Sequence, residues 1–411
     1  MTVILLLFEN VNMKKLMNIL LIISLVCSLP SCKPDDCPEP IENQSPVVWK
    51  KLISSSPESS LNSTPLLYKD LIVLGKKETS GYVIRAYNAY AGDTIWETMA
   101  PVSGGFNATD WDESMIYDNK IVFSESYWFF ALDAVTGKIL WHKINDNFFG
   151  GSCVIDKYLY KMGTDHRNWS SLYRFEINSG AKEKLFTINR SEYGSNYSPN
   201  LMMPVKWVHP NGDEILVLQN RTYGWYTDME HKMDILAWNL TADSMLWYRD
   251  RLDGFSSMSR PAIDGDKVYF YGDRHAYCIN PLNGETIWKY FIGDGPEDDF
   301  NTANILIIDD KLIVKPDNDH MHAVNKETGE MIWRNNETAS MPDLLTVHQD
   351  TIWFGSGGVL AIDANTGKTL IDQYEASNGS WIFPIAHHPT NGHIYTSDGD
   401  YLYCLNPKYM R

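Results

Sequence analysis

The chain has 411 residues, of which 35 are Lys or Arg and 52 are Asp or Glu, so its formal net charge is −17. Hydrophobic residues make up 44% of the sequence and aromatic residues 13%. Since a chain this rich in aromatic residues can bury a large core, the composition excludes an intrinsically disordered protein. The acidic charge argues against a nucleic-acid-binding protein, because phosphate neutralisation requires clustered Lys and Arg side chains.

The N-terminal segment has the features of a bacterial lipoprotein signal peptide in their usual order. A basic start at residues 13–15 precedes an apolar stretch over residues 16–29, which is too short and too interrupted by polar residues for a membrane span. The following residues 29–32 resemble a lipobox, in which Cys32 is lipidated and becomes the first residue of the mature protein. Because Pro30 departs from the commonest lipobox, a plain cleaved signal peptide is the alternative.

The same segment sets the predicted boundaries of the chain. A natural signal peptide starts at Met13, which indicates that the preceding residues come from a misplaced start codon. The predicted divisions are an upstream extension over residues 1–12, a signal peptide over 13–31, a linker over 32–45 and a folded domain over 46–411.

From about residue 46 onward the sequence repeats one frame. A small residue is followed two positions later by Asp or Asn, four further on by Gly, and four after that by Trp, most clearly in residues 131–141 and 323–333. An apolar residue lies two positions before the small one, which is the periodicity of a strand with a buried face. Anchored on the polar position, the eight copies are Asn88, Asp133, Glu176, Asn239, Asn280, Asn325, Asp363 and Asn406.

Each position of the frame has a physical reason. The Asp or Asn ends a strand and bonds the backbone of the turn, while Gly supplies a positive φ that other residues resist. The Trp begins the next strand and buries a large ring against the neighbouring repeat. With two further turn-flanked strands upstream, each unit holds four strands, which predicts the blade of a β-propeller. The predicted docking residues are Trp49, Trp96, Trp141, Trp247, Trp288 and Trp333.

The number of blades depends on the two ends of the folded domain. Eight third strands are visible, but the last, at residues 401–405, has no fourth strand after it. Residues 46–50 supply the missing strand, with Trp49 in the docking position, and this closure removes an exposed sheet edge. We therefore predict an all-β, eight-bladed β-propeller. Seven blades are the alternative, because Lys184 and Ile371 stand where Trp is expected.

The frame resembles the tryptophan-docking repeat of the quinoprotein-like (PQQ-like) propellers, which include alcohol dehydrogenases and the outer-membrane assembly lipoprotein BamB. The resemblance covers nearly the whole mature chain and implies the fold without implying one function. In the family's dehydrogenases PQQ stacks on a disulfide between adjacent cysteines, beside a Ca²⁺ ion held by carboxylates. This chain has no adjacent cysteine pair, and Cys278 and Cys404 fall in the small-residue column, where they replace Ala. We therefore expect no PQQ-dependent activity and predict no cofactor.

Three further segments contain residue types that bind metal ions. Residues 317–322 align with a hairpin turn and strand of the other repeats, so we predict turn and packing roles rather than a metal site. His387 and His388 have no further ligands nearby in sequence. The acidic loop at residues 293–299 carries the oxygen ligands that suit a structural Ca²⁺ ion, and a solvated acidic loop is the alternative.

The fourth repeat departs from the others in length. The step from Gly180 to Asp243 is 63 residues, whereas the other steps are 38–45 residues. We place the extra residues in loops at 189–203 and 220–232, on the same face as the blade-three loop at 163–170. Aromatic and Arg side chains in these loops would form a platform for a sugar ring or a peptide, and packing onto the ring is the alternative. The candidate ligand-binding residues are His166, Arg167, Trp169, Arg190, Tyr193, Tyr197, Arg221, Tyr223, Trp225 and Tyr226.

Together these features predict a non-catalytic lipoprotein, lipid-anchored in the bacterial outer membrane, with the side that it faces left open. Its propeller would bind a partner protein or a glycan at the face of blades three and four, and a BamB-like scaffold role is the specific version. It would touch the membrane through its anchor alone and would not bind nucleic acid. The alternative is a propeller enzyme, such as a quinoprotein oxidoreductase or a sugar-cleaving enzyme, although no carboxylate pair identifies the latter.

Overall fold

The repeats fold into short antiparallel strands. The computed structural model describes residues 45–53, 65–78, 81–101, 115–124, 128–144, 148–166, 169–189, 197–224, 232–253, 259–272, 275–293, 303–316, 320–338, 344–355, 358–374 and 385–410. The predicted extension, the signal peptide and Cys32 lie outside these residues. In the described part of the chain, no helix is both long and apolar enough to cross a membrane.

The strands follow the predicted order along the chain. The first is β1 (Val47–Leu52). Blades one and two hold β2 (Leu66–Tyr68), β3 (Leu71–Glu78), β4 (Gly81–Asn88), β5 (Thr94–Met99), β6 (Ile116–Tyr117), β7 (Lys120–Ser124), β8 (Trp128–Asp133) and β9 (Ile139–Ile144). Blades three and four hold β10 (Phe148–Ile155), β11 (Tyr158–His166), β12 (Trp169–Glu176), β13 (Lys182–Asn189), β14 (Tyr197–Leu201), β15 (Val205–Val208), β16 (Glu214–Gly224), β17 (Lys232–Asn239) and β18 (Ser244–Asp253).

The second half of the chain continues in the same way. Blades five and six hold β19 (Ala262–Asp264), β20 (Lys267–Gly272), β21 (His275–Ile279), β22 (Thr286–Phe291), β23 (Leu306–Ile308), β24 (Lys311–Val314), β25 (Met321–Asn325) and β26 (Met331–Asn335). Blades seven and eight hold β27 (Thr346–His348), β28 (Thr351–Gly355), β29 (Val359–Asp363), β30 (Thr369–Tyr374), β31 (Ala386–His387), β32 (Ile394–Ser397) and β33 (Tyr401–Leu405), followed by a 3-10 helix (Pro407–Tyr409).

Eight sheets form the ring, which confirms the prediction of an eight-bladed β-propeller rather than a seven-bladed one. Each blade is an antiparallel meander in chain order, except that the eighth has the order β1-β33-β32-β31. β1 pairs with β33 and places Trp49 opposite Cys404. The N-terminal strand therefore closes the last blade, as predicted, and covers an edge that would otherwise be open.

The core lies between the blades rather than inside any one of them. The described residues form eight hydrophobic clusters, and each joins two consecutive blades around the ring. Third strands such as β8 are buried along nearly their whole length, whereas fourth strands such as β5 alternate between half-buried and exposed residues. The interfaces between blades therefore hold most of the burial that stabilises the fold.

Blade four differs from the other blades in having five strands. β14 and β15 both pair with β16, and Pro204, which lacks a backbone N–H, lies in the break between them. We expected loops at residues 189–203 and 220–232, but residues 197–201 and 220–224 are paired strands. This part of the prediction was wrong because β16 and β18 are longer than the corresponding strands of the other blades and β14 pairs with the extended end of β16.

Candidate functional site

Six tryptophans dock onto the next blade in one geometry. Each indole Nε1 donates a hydrogen bond to the carbonyl of the residue after the Asp, Asn or Glu anchor of that blade. The pairs are Trp49–Ala89 (3.1 Å), Trp96–Ala134 (3.1 Å), Trp141–Ile177 (2.7 Å), Trp247–Pro281 (2.7 Å), Trp288–Lys326 (3.0 Å) and Trp333–Ala364 (3.0 Å). These bonds place the predicted docking residues in the blade interfaces.

The glycine of each receiving turn lies against the docked ring. Gly367 has a φ of 72°, and a Cβ atom on it would lie 2.5 Å from the Trp333 ring. A side chain there would therefore meet both a backbone conformation that L-residues resist and an occupied space. The glycine and the tryptophan are coupled across the interface, although they belong to different repeats.

The anchor residue orders the same turn. Asp363 Oδ1 accepts hydrogen bonds from the Thr366 backbone N–H (2.7 Å) and hydroxyl (2.8 Å). The hydroxyl bond from Thr366 lowers the pKa of Asp363 below its usual value, against an opposing effect of desolvation. Asp133 forms the same bonds with Thr136. The turn that receives the tryptophan is thus held by side-chain caps of the kind expected from the sequence.

The interface between blades three and four has no docking tryptophan. Lys184 takes that position in the sequence frame but pairs with Tyr173 in the ladder, and the glycine position of blade four is Asp243, with a φ of 50°. Instead, Phe186 stacks on Trp238 with ring centroids 4.5 Å apart. The sequence analysis missed this pair because a β-bulge places Lys184 opposite Tyr173 and Phe186 opposite Leu172, so the two side chains lie on opposite faces and a strict period of two does not reveal Phe186.

The structure describes part of the predicted binding face of blades three and four. Trp169 begins β12, pairs with His166 and Asn189 in the ladder, and is 40% exposed. Arg221 lies in β16 opposite Asn200 and is half-buried. Only the backbone is described for His166, Tyr197 and Tyr223, and the remaining candidates, Arg167, Arg190, Tyr193, Trp225 and Tyr226, lie outside the described residues.

A hydrogen bond joins the two blades at this face. The Leu201 backbone N–H, at the end of β14, donates to Ser170 Oγ at 3.2 Å. Ser170 therefore faces blade four together with Leu172, and because side chains alternate along β12, the exposed Trp169 points to the other face of blade three. Blades three and four are therefore in direct contact where β12 begins and β14 ends.

A buried polar network supports the extended strands of blade four. Asp234 is fully buried, and its Oδ2 accepts bonds from Asn220 Nδ2 (2.9 Å) and the Tyr248 hydroxyl (2.5 Å). These three residues belong to β17, β16 and β18, so the network ties the three strands together. The sequence analysis missed this network. An Asp inside the apolar run of β17 breaks the repeat pattern, and it could have indicated a buried hydrogen-bonded group.

Two buried lysines on second strands donate hydrogen bonds to a neighbouring blade. Lys76 of blade one donates to the Gly399 carbonyl of blade eight (2.5 Å), and Lys161 of blade three donates to Ser124 Oγ of blade two (2.9 Å). Burial lowers the pKa of Lys76 to about 8, although Asp400 and Glu78 oppose this shift. The sequence analysis did not predict these residues, because each bond joins positions far apart in the chain.

The described cysteines occupy packing positions. Cys278 and Cys404 lie opposite Trp288 and Trp49 in the ladder, and burial raises the pKa of each thiol to about 12. Both are therefore protonated, inert thiols at neutral pH. Cys153 is also buried, and all three are free cysteines that form no adjacent pair. The described cysteines thus do not supply a two-cysteine wall for a stacked quinone.

The histidines of the metal-like runs are also packed. His322 is buried with its Nδ1 3.0 Å from the Tyr290 hydroxyl, as expected for a packing column, and His388 is buried with its Nε2 3.2 Å from Asp70 Oδ1. In the part of the chain that the structure describes, no three His, Cys, Asp or Glu side chains are grouped to hold a metal ion. Most of the acidic loop at 293–299 lies outside the described residues.

The chain is similar in sequence to one enzyme and in structure to two dehydrogenases of known structure. The tetrathionate hydrolase of Acidithiobacillus ferrooxidans is 21% identical over 321 residues, which cover 70% of this chain but 62% of that protein, so the chain spans less than two thirds of its length. Among solved structures, a europium-containing methanol dehydrogenase has a TM-score of 0.60 at 12% identity, covering 85% of this chain and 84% of its own. The quinohemoprotein alcohol dehydrogenase of Comamonas testosteroni has a TM-score of 0.56 at 12% identity, with 87% and 76% covered.

These structural likenesses show the fold alone, since fold does not dictate function. The family model described as outer membrane protein assembly factor BamB matches residues 79–370, which is most of the propeller. This span includes five of the six docking tryptophans and the whole extension of blade four. The chain therefore belongs to the BamB family of tryptophan-docked propellers.

Proposed function

We propose that the protein is a non-catalytic scaffold of the bacterial cell envelope that binds a partner protein through the face of blades three and four. The observation that carries the proposal is the strand extension of blade four, which is hydrogen-bonded to β12 of blade three at Ser170, next in sequence to the exposed Trp169. A glycan is the second ligand class that this surface would suit, because sugar rings also stack on exposed aromatic planes.

The extension is built to hold a surface in place. β14 is hydrogen-bonded to β16 from Tyr197 to Leu201, and the buried Asp234 joins β16, β17 and β18 beneath it. Binding surfaces on paired strands hold their side chains more rigidly than surfaces on loops. An insertion that served only to fill space would not need this internal support.

Trp169 differs in exposure from the docking tryptophans. Its side chain is 40% exposed, whereas Trp333 is 8% exposed. A large aromatic side chain that stays in solvent on a fixed strand is typical of an interface anchor, since Trp is among the residues that contribute most to binding energy. We therefore expect Trp169→Ala to change the free energy of unfolding by less than about 0.5 kcal/mol while weakening partner binding.

The non-catalytic part of the proposal rests on the cysteines. The quinoprotein dehydrogenases need an adjacent cysteine pair beside PQQ, and the chain offers buried, separated thiols with raised pKa values. We expect purified protein supplied with PQQ and Ca²⁺ to show neither quinone absorbance nor dye reduction with alcohols. A reconstituted holoenzyme would overturn this part.

The proposed location is the outer membrane, with Cys32 as the lipid attachment site. The lipobox-like residues 29–32 and membership of the BamB family support it. Cys32→Ala, or inhibition of the lipoprotein signal peptidase, should move the protein from the membrane fraction to the soluble fraction. Unchanged membrane association of the Cys32→Ala variant would contradict the anchor.

Site-specific photo-crosslinking in living cells tests the binding face. A photoreactive residue replacing Trp169 should give a discrete crosslinked product, whereas the same residue replacing Leu140 should not. Leu140 is the matched control because it is also 40% exposed, but it lies on the outer strand β9 of blade two. Equal crosslinking at both positions would contradict a binding surface at blades three and four.

The likeness to tetrathionate hydrolase favours a second candidate, an enzyme acting on sulfur compounds. This candidate is tested by incubating purified protein with tetrathionate and following its consumption. Turnover above the rate of a protein unfolded by heat would replace the scaffold proposal, and absence of turnover would leave the crosslinking result to decide.

A further inference from the structure

The interfaces of the ring differ in the polar contacts that join one blade to the next. Between blades five and six, Trp288 and Tyr269 both donate to the Lys326 carbonyl, at 3.0 and 3.2 Å, and the Lys326 ammonium donates to Asp264 at 2.5 Å. This interface is therefore joined by directional bonds as well as by apolar packing.

The interface between blades seven and eight lacks the docking pair. Ile371 takes the position of the docking tryptophan, and Met410, with a φ of −80°, takes the position of the turn glycine. The carbonyl that would accept an indole bond belongs to Pro407, and it already accepts a bond from the Met410 N–H at 3.2 Å. Neither the ring nor a free acceptor is therefore present.

Other polar contacts do not replace the docking pair. Between the described residues of blades seven and eight, no hydrogen bond or ion pair crosses the interface. At each of the other seven interfaces, at least two hydrogen bonds do. The described parts of blades seven and eight are thus joined differently from every other pair of neighbours.

Apolar and aromatic contacts hold this interface. Buried side chains of β28, β29 and β30 pack against those of β32 and β33. The His387 ring stacks on His348 of blade seven, with centroids 5.0 Å apart, and lies 5.5 Å from the Trp353 ring. A cavity of about 620 Å³ also lies here, bordered by Ile371 and Met410. Apolar contacts have no preferred direction, so they resist separation without fixing the two blades at one distance.

Two buried side chains at this interface would gain hydrogen bonds if the blades separated. Trp353 is 5% exposed and its Nε1 has no acceptor among the described residues, and neither ring nitrogen of His387 has a partner there. Buried polar groups without partners destabilise a folded state, whereas water would satisfy all of these nitrogens. The closed interface therefore carries a cost that separation removes.

The opposite side of the ring has the other interface without a docking tryptophan. Blades three and four lie four places from blades seven and eight, so the two undocked interfaces divide the ring into two half-rings of four blades. Each half-ring keeps three docked interfaces, and the donors are Trp49, Trp96 and Trp141 in one and Trp247, Trp288 and Trp333 in the other. Blades three and four remain joined by polar contacts, such as the bond from Leu201 to Ser170.

We propose that the ring opens between blades seven and eight while its other interfaces stay closed, with the interface of blades three and four as the hinge. Each half-ring moves as one unit, held by its docked tryptophans. The protein therefore has a closed state and an open state, and only the open state exposes the buried side chains between blades seven and eight. The device follows from contacts within the ring and needs no ligand, so its failure would leave the proposed scaffold role untouched.

Acid should favour the open state. Burial, with a smaller effect of His348, lowers the pKa of His387 to about 3, so the closed interface holds its ring neutral at physiological pH. His348 of β27 is the titratable side chain that faces it, and β28 presents the uncharged Trp353. In the open state His387 regains an ordinary pKa of 6.5 and binds a proton that the closed state excludes. The ratio of open to closed protein should therefore rise about thirtyfold from about pH 7.5 to about pH 5.

Thiol labelling of the full-length protein in detergent tests the opening. Val359→Cys places a probe in the cluster between blades seven and eight, and Ile84→Cys places one in the same strand column between blades one and two, where Trp96 is docked. Both positions are fully buried, and neither borders the cavity. The native Cys278 and Cys404, buried at two docked interfaces, are internal controls in each protein.

The reagent is a pyridyl disulfide, which stays reactive towards thiols in acid, and peptide mass spectrometry follows each cysteine separately. We expect Val359→Cys to react at least about tenfold faster than Ile84→Cys, because two hydrogen bonds cross the second interface. The ratio of the two rates should rise about thirtyfold from about pH 7.5 to about pH 5. His387→Phe keeps a stacked ring and should remove this rise.

Three outcomes would count against the proposal. Equal rates for Val359→Cys and Ile84→Cys would overturn the opening. Labelling of Cys278 and Cys404 as fast as Val359→Cys would also overturn it, since the whole ring would then unfold rather than one interface. A ratio that does not change with pH would overturn the role of His387. If Val359→Cys does not fold, Leu405→Cys takes its place, because Leu405 is the buried blade-eight side of the same cluster.

Discussion

The two interfaces that blade seven forms, with blade six and with blade eight, are built from equivalent strands but have different contents. In blade six Ala323 lies opposite Trp333, and in blade seven Ala361 lies opposite Ile371. Trp333 is received by Gly367, which has a positive φ, whereas Ile371 is received by Met410, which has a negative one. The first interface is filled by a hydrogen-bonded indole and the second contains a cavity.

The two interfaces show that the docking tryptophan and the receiving glycine occur together, although they belong to consecutive repeats. Blades three and four agree, because Lys184 precedes Asp243 and neither Trp nor Gly is present. A residue other than Gly in the receiving turn is thus found where no ring lies against the turn. The two undocked interfaces then differ in what replaces the ring, since one has the stacked Phe186 and Trp238 and the other leaves space.

The largest expected effect comes from removing the docked ring. Trp333→Ala should reduce the free energy of unfolding by about 3–5 kcal/mol, because it leaves a large void and an unused Ala364 carbonyl. Ile371→Ala should cost about 2 kcal/mol, at the low end for its kind, since a cavity already borders the side chain. Denaturant unfolding of both variants measures the difference, and equal losses would break the comparison.

A smaller effect is expected from the receiving glycine. Gly367→Ala should cost more than about 2 kcal/mol, because the new methyl group adds a clash with Trp333 to the strain of a positive φ. The matched control is Gly265→Ala, whose φ of 56° is also positive but whose Cβ would meet nothing within 4 Å. The control should cost about 1–2 kcal/mol. If both glycines cost the same, the ring does not constrain the turn.

The interface between blades eight and one contains the docked Trp49 and the buried Lys76. Because of Lys76, the free energy of unfolding should change with pH in the alkaline range. The folded pKa of Lys76, about 8, lies below the ordinary lysine value of 10.5, so the unfolded state binds more protons between these values. Wild type should therefore gain stability relative to Lys76→Met as the pH rises through this window. Thermal melts of both proteins at each pH measure the gain, and a constant difference in Tm would contradict it.

The smallest effect concerns the anchor of the receiving turn. The lowered pKa of Asp363 contributes stability above its unfolded pKa of 3.8, and this contribution is lost as the pH falls through the folded value. Asp363→Asn gives the turn the anchor type of Asn406, which does not titrate. Wild type should lose its small advantage over this variant below about pH 4. An advantage that persists unchanged at lower pH would show that the charge plays no part.

The insertion of blade four was predictable in position from the sequence, but its structure was not. The 63-residue step located the extra residues of blade four, but the sequence analysis assigned them to loops, whereas Leu201 and Asn220 pair in a ladder. A strand can extend only where a neighbouring strand is long enough to pair with the added residues. Length and composition alone do not contain that information.

By itself the sequence determined the number of blades, the closure by β1 and the docking tryptophans. Each of these follows from a local frame in which Trp, Gly and Asp or Asn serve the same physical purpose in every copy. The tertiary structure alone decided the bond from Lys76 to Gly399, the stack of Phe186 on Trp238 and the unused N–H of Trp353. These features depend on which groups of a neighbouring blade are free to accept a bond or a ring, and that is settled only when the blades pack.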